Sequence, residues 1–205
     1  FETEDDLVKF LEGCLGSTFA IDNIQKKPAK RRPAPPFITS TLQQEASRKM
    51  GFAVRRTMQI AQRLYERGLI TYMRTDSVNM SEMAMGIIGE MIRKDYGDRY
   101  HHSRKFKSKS GNAQEAHEAI RPTYFENKSI EADRDEARLY ELIWKRAVAS
   151  QMADAELEKT IVDISISKLP SEKLVATGEV MVFDGFLKLY NVSKDEDEDE
   201  FDVIL

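Results

Sequence analysis

Four of the chain's six prolines fall between Pro28 and Pro36, in the stretch "KKPAKRRPAPP". Proline lacks an amide proton and fixes φ, so no helix runs through such a stretch and an extended linker is expected over 26–36. The linker separates two kinds of pattern. Before it, "TEDDLVKFLEGCLG" predicts a short helix closed by Gly16, and "STFAIDNIQ" a strand. After it the period is helical. "TSTLQQEASRKMG" opens on hydroxyl residues suited to capping and ends on Gly51, and "AVRRTMQIAQRLYERG" places Val54, Met58, Ala61 and Tyr65 on one stripe before Gly68. "SEMAMGIIGEMIRKDYG" predicts a third helix with Ser81 as its N-cap, "DRYHHSRKFKSKSGN" a mobile basic loop, and "AQEAHEAIRPT" one or two helical turns stopped by Pro122. In "DRDEARLYELIWKRAVASQM", Asp133 and Glu136 have capping-box spacing, and Tyr140, Ile143, Trp144, Ala147 and Val148 form one helical stripe. From about residue 158, "KTIVDISISK", "KLVATGEVMVF" and "FLKLYNV" alternate and predict strands, with a turn at Asp184-Gly185. The seven acids between Asp195 and Asp202 predict a solvated loop or hairpin tip.

The expected class is α+β. Residues 1–36 form the first part of a β domain and the linker, 37–150 a helical domain, and 151–205 the second part of the β domain. Two short helices around a glycine turn, followed by an apolar strand at "GLITYMRTDS", resemble a helix-turn-helix with a wing. The helical unit is therefore expected to be winged-helix-like and inserted between β segments. No apolar run reaches the roughly 18 residues of a membrane helix. Glu2, Glu4, Asp5 and Asp6 occupy the place of a basic signal region, so no secretory signal is expected. The single cysteine, Cys14, excludes an intramolecular disulfide and suggests a reducing compartment, and with three histidines a zinc site is not expected.

The net charge of −4 conceals a division, because residues 26–125 hold 20 Lys and Arg against 9 Asp and Glu. A basic middle between acidic ends suggests a polyanionic partner for the middle, with Arg55, Arg56 and Arg63 as candidate contacts.

"GLITYMRTDS" ends an apolar run in unusually polar chemistry. As a strand it would point Ile70, Tyr72 and Arg74 to one side and Thr71, Met73 and Thr75 to the other. A phenol is a weak nucleophile at neutral pH; an arginine beside it favours the ionised form and can bind two phosphate oxygens in its planar fork. That pair suits covalent attack on a phosphodiester. Taken alone, it could equally be an amphipathic tyrosine beside a solvated arginine. "QEAHEAIRPT" adds Glu115, His117, Glu118 and Arg121, and a histidine can donate to a phosphate oxygen or act as acid or base.

"PFITSTLQQEASRKMGF", "AQRLYERGLITYMRTDS" and "QEAHEAIRPT", in this order, resemble the bacterial type IA DNA topoisomerases. The resemblance is strong over about 36–150 and looser beyond. It implies an enzyme that relaxes negatively supercoiled DNA through a transient 5′-phosphotyrosyl link, strand passage and religation. By motif position it implies Tyr72 as nucleophile, Arg74 on the scissile phosphate and His117 on the phosphate or nearby backbone. Thr71, Asp76 and Arg121 would be supporting residues, and Glu66 would shape the same site. It further implies an arch built from the β segments, single-stranded or negatively supercoiled DNA as partner, and a cytoplasmic, nucleoid-associated place of action. The family's magnesium site lies in a Toprim domain, which this sequence lacks along with the C-terminal DNA-binding regions. A part of the enzyme that is inactive alone is therefore expected, with no metal site of its own. Two other readings are a winged-helix DNA-binding module without chemistry and a tyrosine recombinase. In the latter the tyrosine usually lies near the chain end, whereas Tyr72 precedes His117 and Arg121.

Overall fold

The computed structural model describes residues 3–106 and 117–190. The acidic run at 195–202, Glu115, and parts of the basic loop and of the "AQEAHEAIRPT" turn lie outside the described residues. The described chain divides into two compact units, one containing residues 3–30 with Glu156–Phe183, the other Arg31–Ala155 with residues 184–190.

The first unit holds α1 (Glu4–Cys14), β1 (Phe19–Arg31), β2 (Ala155–Ile166) and β3 (Lys173–Phe183). Thr3 caps α1 by accepting from the Asp6 amide at 3.2 Å. The sheet order is β1-β2-β3. β2 and β3 are antiparallel, in a register from Glu156 opposite Phe183 to Ser165 opposite Lys173. Thr18 meets Ser167, Asp22 meets Ser165 and Lys26 meets Glu158, so β1 also runs against β2. β1 continues through Pro28 to Arg31, where a linker was expected from residue 26. An edge strand tolerates proline, because its free side needs no donor, and β1 is an edge.

The second unit is built on α2 (Thr39–Met50), α3 (Val54–Glu66), α4 (Glu82–Tyr96) and α5 (Arg134–Ala149). Ser81 caps α4, and Asp133 caps α5 by accepting from the amides of Asp135 and Glu136. The α5 stripe of Tyr140, Ile143, Trp144, Ala147 and Val148 is buried with Leu42, Ile60, Leu64, Ile88 and Ile120. The polar tips of its aromatic residues reach backbone carbonyls: Trp144 Nε1 donates to Phe125 at 2.9 Å and the Tyr140 hydroxyl to Asn127 at 2.7 Å. Burial pushes the Tyr140 phenol up to about 12. Buried Arg146 donates to the Pro35 carbonyl at 2.7 Å and sits over the Phe37 ring, so the chain entering α2 is fixed to α5.

Several local expectations fail for tertiary reasons. Residues 68–75 form no strand; only Ile70 makes a bridge, to Pro122. Residues 117–122 are not helical, because Ile120 bridges Phe37 and the segment is drawn out between two others. The described part of the basic loop is anchored: the Gln151 side chain bonds both the amide and carbonyl of Arg104, and the Arg104 guanidinium reaches Asp154 and the Met152 carbonyl. "FLKLYNV" starts as a 3₁₀ turn, Gly185–Lys188, in place of a strand.

Two glycines test the packing. Gly51 ends α2 with φ +71, in open space, and passes its amide to Ser47 while Phe52 bonds Ala46. Gly185 has φ +49, and a Cβ there would lie 2.3 Å from the Asp154 carbonyl oxygen. Gly51→Ala should therefore cost about 1 kcal/mol from backbone strain alone. Gly185→Ala should cost clearly more, about 2–4 kcal/mol, because backbone must also move. Urea unfolding of both variants checks this; equal losses would contradict it.

Candidate functional site

The functional segment follows α3. Gly68 turns the chain at φ +69, and the backbone then runs between two partners. On one side, Thr71 and Leu69 pair with Arg121 and Thr123: the Thr71 amide donates to the Arg121 carbonyl at 2.9 Å and the Thr123 amide to Leu69 at 3.0 Å. The Thr71 hydroxyl donates to the Ala119 carbonyl at 2.7 Å and accepts from the Arg121 amide at 2.9 Å. On the other side, at residues 73–75, Thr39 of α2 takes over. Its hydroxyl lies 2.9 Å from the Met73 carbonyl and accepts from the Thr75 amide at 2.9 Å. A short backbone pairing at 69–71 thus gives way to side-chain hydrogen bonds at 73–75.

This lacing breaks the expected alternation. Ile70 and Met73 are both buried, while Tyr72 and Arg74 face out, Tyr72 at 43% exposure. The Tyr72 ring meets Tyr65 of α3 edge-on, with centroids 5.3 Å apart. Arg74 forms no ion pair among the described residues. Arg74, Asp76 and His117 line one open groove of about 480 Å³ together with Ile38, Thr39 and Ser40 at the start of α2. The positive end of that helix dipole therefore faces the same groove as a guanidinium and an imidazole, an arrangement suited to an anion. Tyr72, two residues from Arg74, is outside the lining.

The other candidates fall elsewhere. Arg121 is turned inward, donating to Glu118 at 2.5 Å and to the Pro122 carbonyl at 2.9 Å. Glu66, at the end of α3, accepts from Gln62 at 2.7 Å. Arg56 pairs with Asp135 at 2.9 Å, and Arg63 and Arg67 share Glu136 at 2.5 and 2.7 Å. Of the basic residues on this helix, Arg55 is exposed and without an ion pair among the described residues. Sequence reasoning missed Thr39, Ser40 and Gln43 as groove walls. The hydroxyls of "TSTLQQ" signal capping chemistry, a task that Thr41 performs by accepting from the Ile38 amide at 3.0 Å.

No group of three or more His, Cys, Asp or Glu side chains that could hold a metal ion is found among the described residues, and Asp76 is the one carboxylate in the groove lining. A magnesium ion is commonly held by one or two carboxylates together with substrate phosphates. The described residues do not form a metal-binding cluster. No described helix is long and apolar enough to cross a membrane.

The sequence profile of one family, DNA topoisomerase, matches residues 1–204. DNA topoisomerase 1 of Zymomonas mobilis is 52% identical over 186 residues, covering 90% of this chain and 15% of that protein. A prokaryotic-type DNA topoisomerase 1 of Acanthamoeba polyphaga mimivirus is 47% identical over 199 residues, covering 93% of this chain and 23% of that protein. The full-length topoisomerase I structure from Thermotoga maritima superposes with a TM-score of 0.76 at 33% identity, over 95% of this chain and 32% of the other. The chain belongs to the bacterial type I DNA topoisomerase family. It spans less than a third of the length of the curated relatives named here.

Glu118 supplies a pH test of the lacing. Partial burial works against its charged form, but hydrogen bonds from Arg121 and the Ser81 amide outweigh this and hold the carboxyl below its ordinary 4.5. A depressed folded-state value stabilises the fold above the unfolded value and loses that contribution as pH falls through the folded one. The side chain keeps 31% of its exposure, so the contribution is modest, about 1 kcal/mol or less. Melting temperatures of the wild type and Glu118→Gln should differ at pH 7 and converge below pH 4.5. A difference independent of pH would contradict the assignment.

Proposed function

We propose that this chain is the nucleophile-bearing part of a type IA DNA topoisomerase that relaxes negatively supercoiled DNA. What supports the reading most is one observation. Tyr72 stands exposed on a laced segment, and the unpaired Arg74 two residues on shares a groove with His117 and the start of α2. The Tyr72 oxygen attacks phosphorus, the bond to the 3′-oxygen breaks, and a 5′-phosphotyrosyl link forms. Return of the 3′-hydroxyl reverses the step after strand passage. Arg74 neutralises charge growing on the phosphoryl oxygens, and His117 donates to the same group or to adjacent backbone. Thr71 holds the segment, Asp76 and Glu66 flank it, and Arg121 supports it through Glu118. Arg55 and, less directly, Arg56 contact DNA backbone.

Residues 37–150 act as a winged-helix-like domain inserted between arch segments at 1–36 and 151–205. The proton for the departing 3′-oxygen and the magnesium site belong to a Toprim domain, and further DNA contacts to C-terminal domains. This chain alone therefore binds single-stranded DNA weakly and does not relax supercoils. The enzyme works on chromosomal DNA in the cytoplasm.

The test is a chimaera in which this chain replaces the matching segment of the Zymomonas mobilis enzyme. Tyr72→Phe should abolish the covalent DNA adduct on a denaturing gel, because it removes only the attacking oxygen. Arg74→Lys should slow adduct formation on the order of 10²-fold, since a point charge does not reproduce the two-pronged contact, with little change in DNA affinity. An adduct that survives Tyr72→Phe would sink the mechanism.

A further inference from the structure

Thr39 bonds to the peptide groups on both sides of Arg74. Its amide donates to the Thr75 carbonyl at 3.0 Å, its hydroxyl accepts from the Thr75 amide at 2.9 Å, and the hydroxyl proton faces the Met73 carbonyl at 2.9 Å. The same carbonyl of Thr75 lies 3.1 Å from that hydroxyl and offers it a second acceptor. Three backbone polar groups that no ladder satisfies are therefore satisfied by one residue, itself the first of α2. Met73 between them is buried and cannot slide outward without exposing its side chain. Arg74 has no ion pair among the described residues to aim its guanidinium, so the backbone held by Thr39 fixes the point and direction from which the side chain leaves.

We propose that Thr39 is a positioning residue for Arg74, fixing the peptide units around it so that the guanidinium enters the groove at the start of α2. The proposal rests on the reading of Arg74 as the phosphate-binding arginine. Thr39 touches no reacting atom in this account. It couples the helix end and the guanidinium, the two positive features of the groove, into one unit. Valine matches the shape of threonine but offers no hydroxyl, so it removes the side-chain part of the clamp and leaves the Thr75 amide without its acceptor, while the backbone bond from Thr39 to the Thr75 carbonyl stays. Serine keeps the hydroxyl and loses only a methyl group.

In the chimaeric enzyme, Thr39→Val should slow adduct formation at saturating DNA on the order of 10–100-fold while DNA affinity stays within about twofold, as expected for a displaced catalytic group. Thr39→Ser should restore the rate to near wild type. In the 205-residue chain, hydrogen exchange at the Thr75 amide should accelerate in Thr39→Val and not in Thr39→Ser. If Thr39→Val melts below the assay temperature, Thr39→Cys, with a weak donor and acceptor, carries the same comparison. An unchanged rate in Thr39→Val beside a crippled Arg74→Ala would overturn the role of Thr39 and leave the function standing. A wild-type rate in Arg74→Ala would remove the reading of Arg74 and this proposal with it.

Discussion

The hydroxyl of Thr71 is the constraint on which the site depends. It donates to Ala119 and accepts from Arg121, so it joins stretches of chain separated by 48 and 50 residues. A single hydrogen bond is worth only about 0.5–1.5 kcal/mol net, but an unmet buried donor or acceptor costs more. The segment 69–75 has no neighbouring strand to meet its backbone groups. The backbone of residues 121–123 meets those of Leu69 and Thr71, the Thr71 hydroxyl ties that pairing to Ala119 and Arg121, and Thr39 meets those at 73–75 from the other side; the placement of Tyr72, Arg74 and His117 follows. Ile120 adds its amide to the Phe37 carbonyl at 2.8 Å, and Ala119 its own to Asn79 at 2.7 Å, so the lacing extends into the core.

Electrostatics then sorts the arginines. The first turn of α5 presents Asp133, Asp135 and Glu136, and these hold Arg56, Arg63 and Arg67 of the α3 region. Glu118 holds Arg121. Four arginines from the basic middle of the chain are thereby ion-paired within the fold. A guanidinium already paired and partly buried would have to give up a partner to take a phosphate. Arg74 and Arg55 face no such competition among the described residues, and Arg74 also shares its groove with the α2 N-terminus.

The elements legible in the sequence are those fixed by local chemistry. Ser81 and Asp133 cap the helices they precede, Gly51 ends α2, and the Tyr140 to Val148 stripe is buried, because capping and helical periodicity act within a few residues. The misreadings share one cause, partners far away in the chain. "GLITYMRT" has strand composition, yet its pairing stops after one bridge at Ile70, and Thr39 takes the bonds at 73–75. "HEAIRP" has helical residues, yet Ile120 pairs with Phe37. Pro28 looks like linker, yet an edge strand accepts it. At the site, the motif singled out Tyr72 and Arg74, but nothing local in the sequence showed that, among the described residues, Arg63 and Arg121 are ion-paired and Arg74 is not. That distinction exists only once α5 and Glu118 are in place.

We propose that one groove, made from the α2 start, Arg74 and His117, receives a phosphodiester. The most direct measurement is a titration of the isotope-labelled chain with a short single-stranded oligonucleotide, followed through arginine side-chain and histidine ring resonances. The account predicts that Arg74 and His117 shift along one binding curve while Arg63, Arg67 and Arg121 stay in place. Shifts confined to Arg63 and Arg67, with Arg74 and His117 silent, would contradict it.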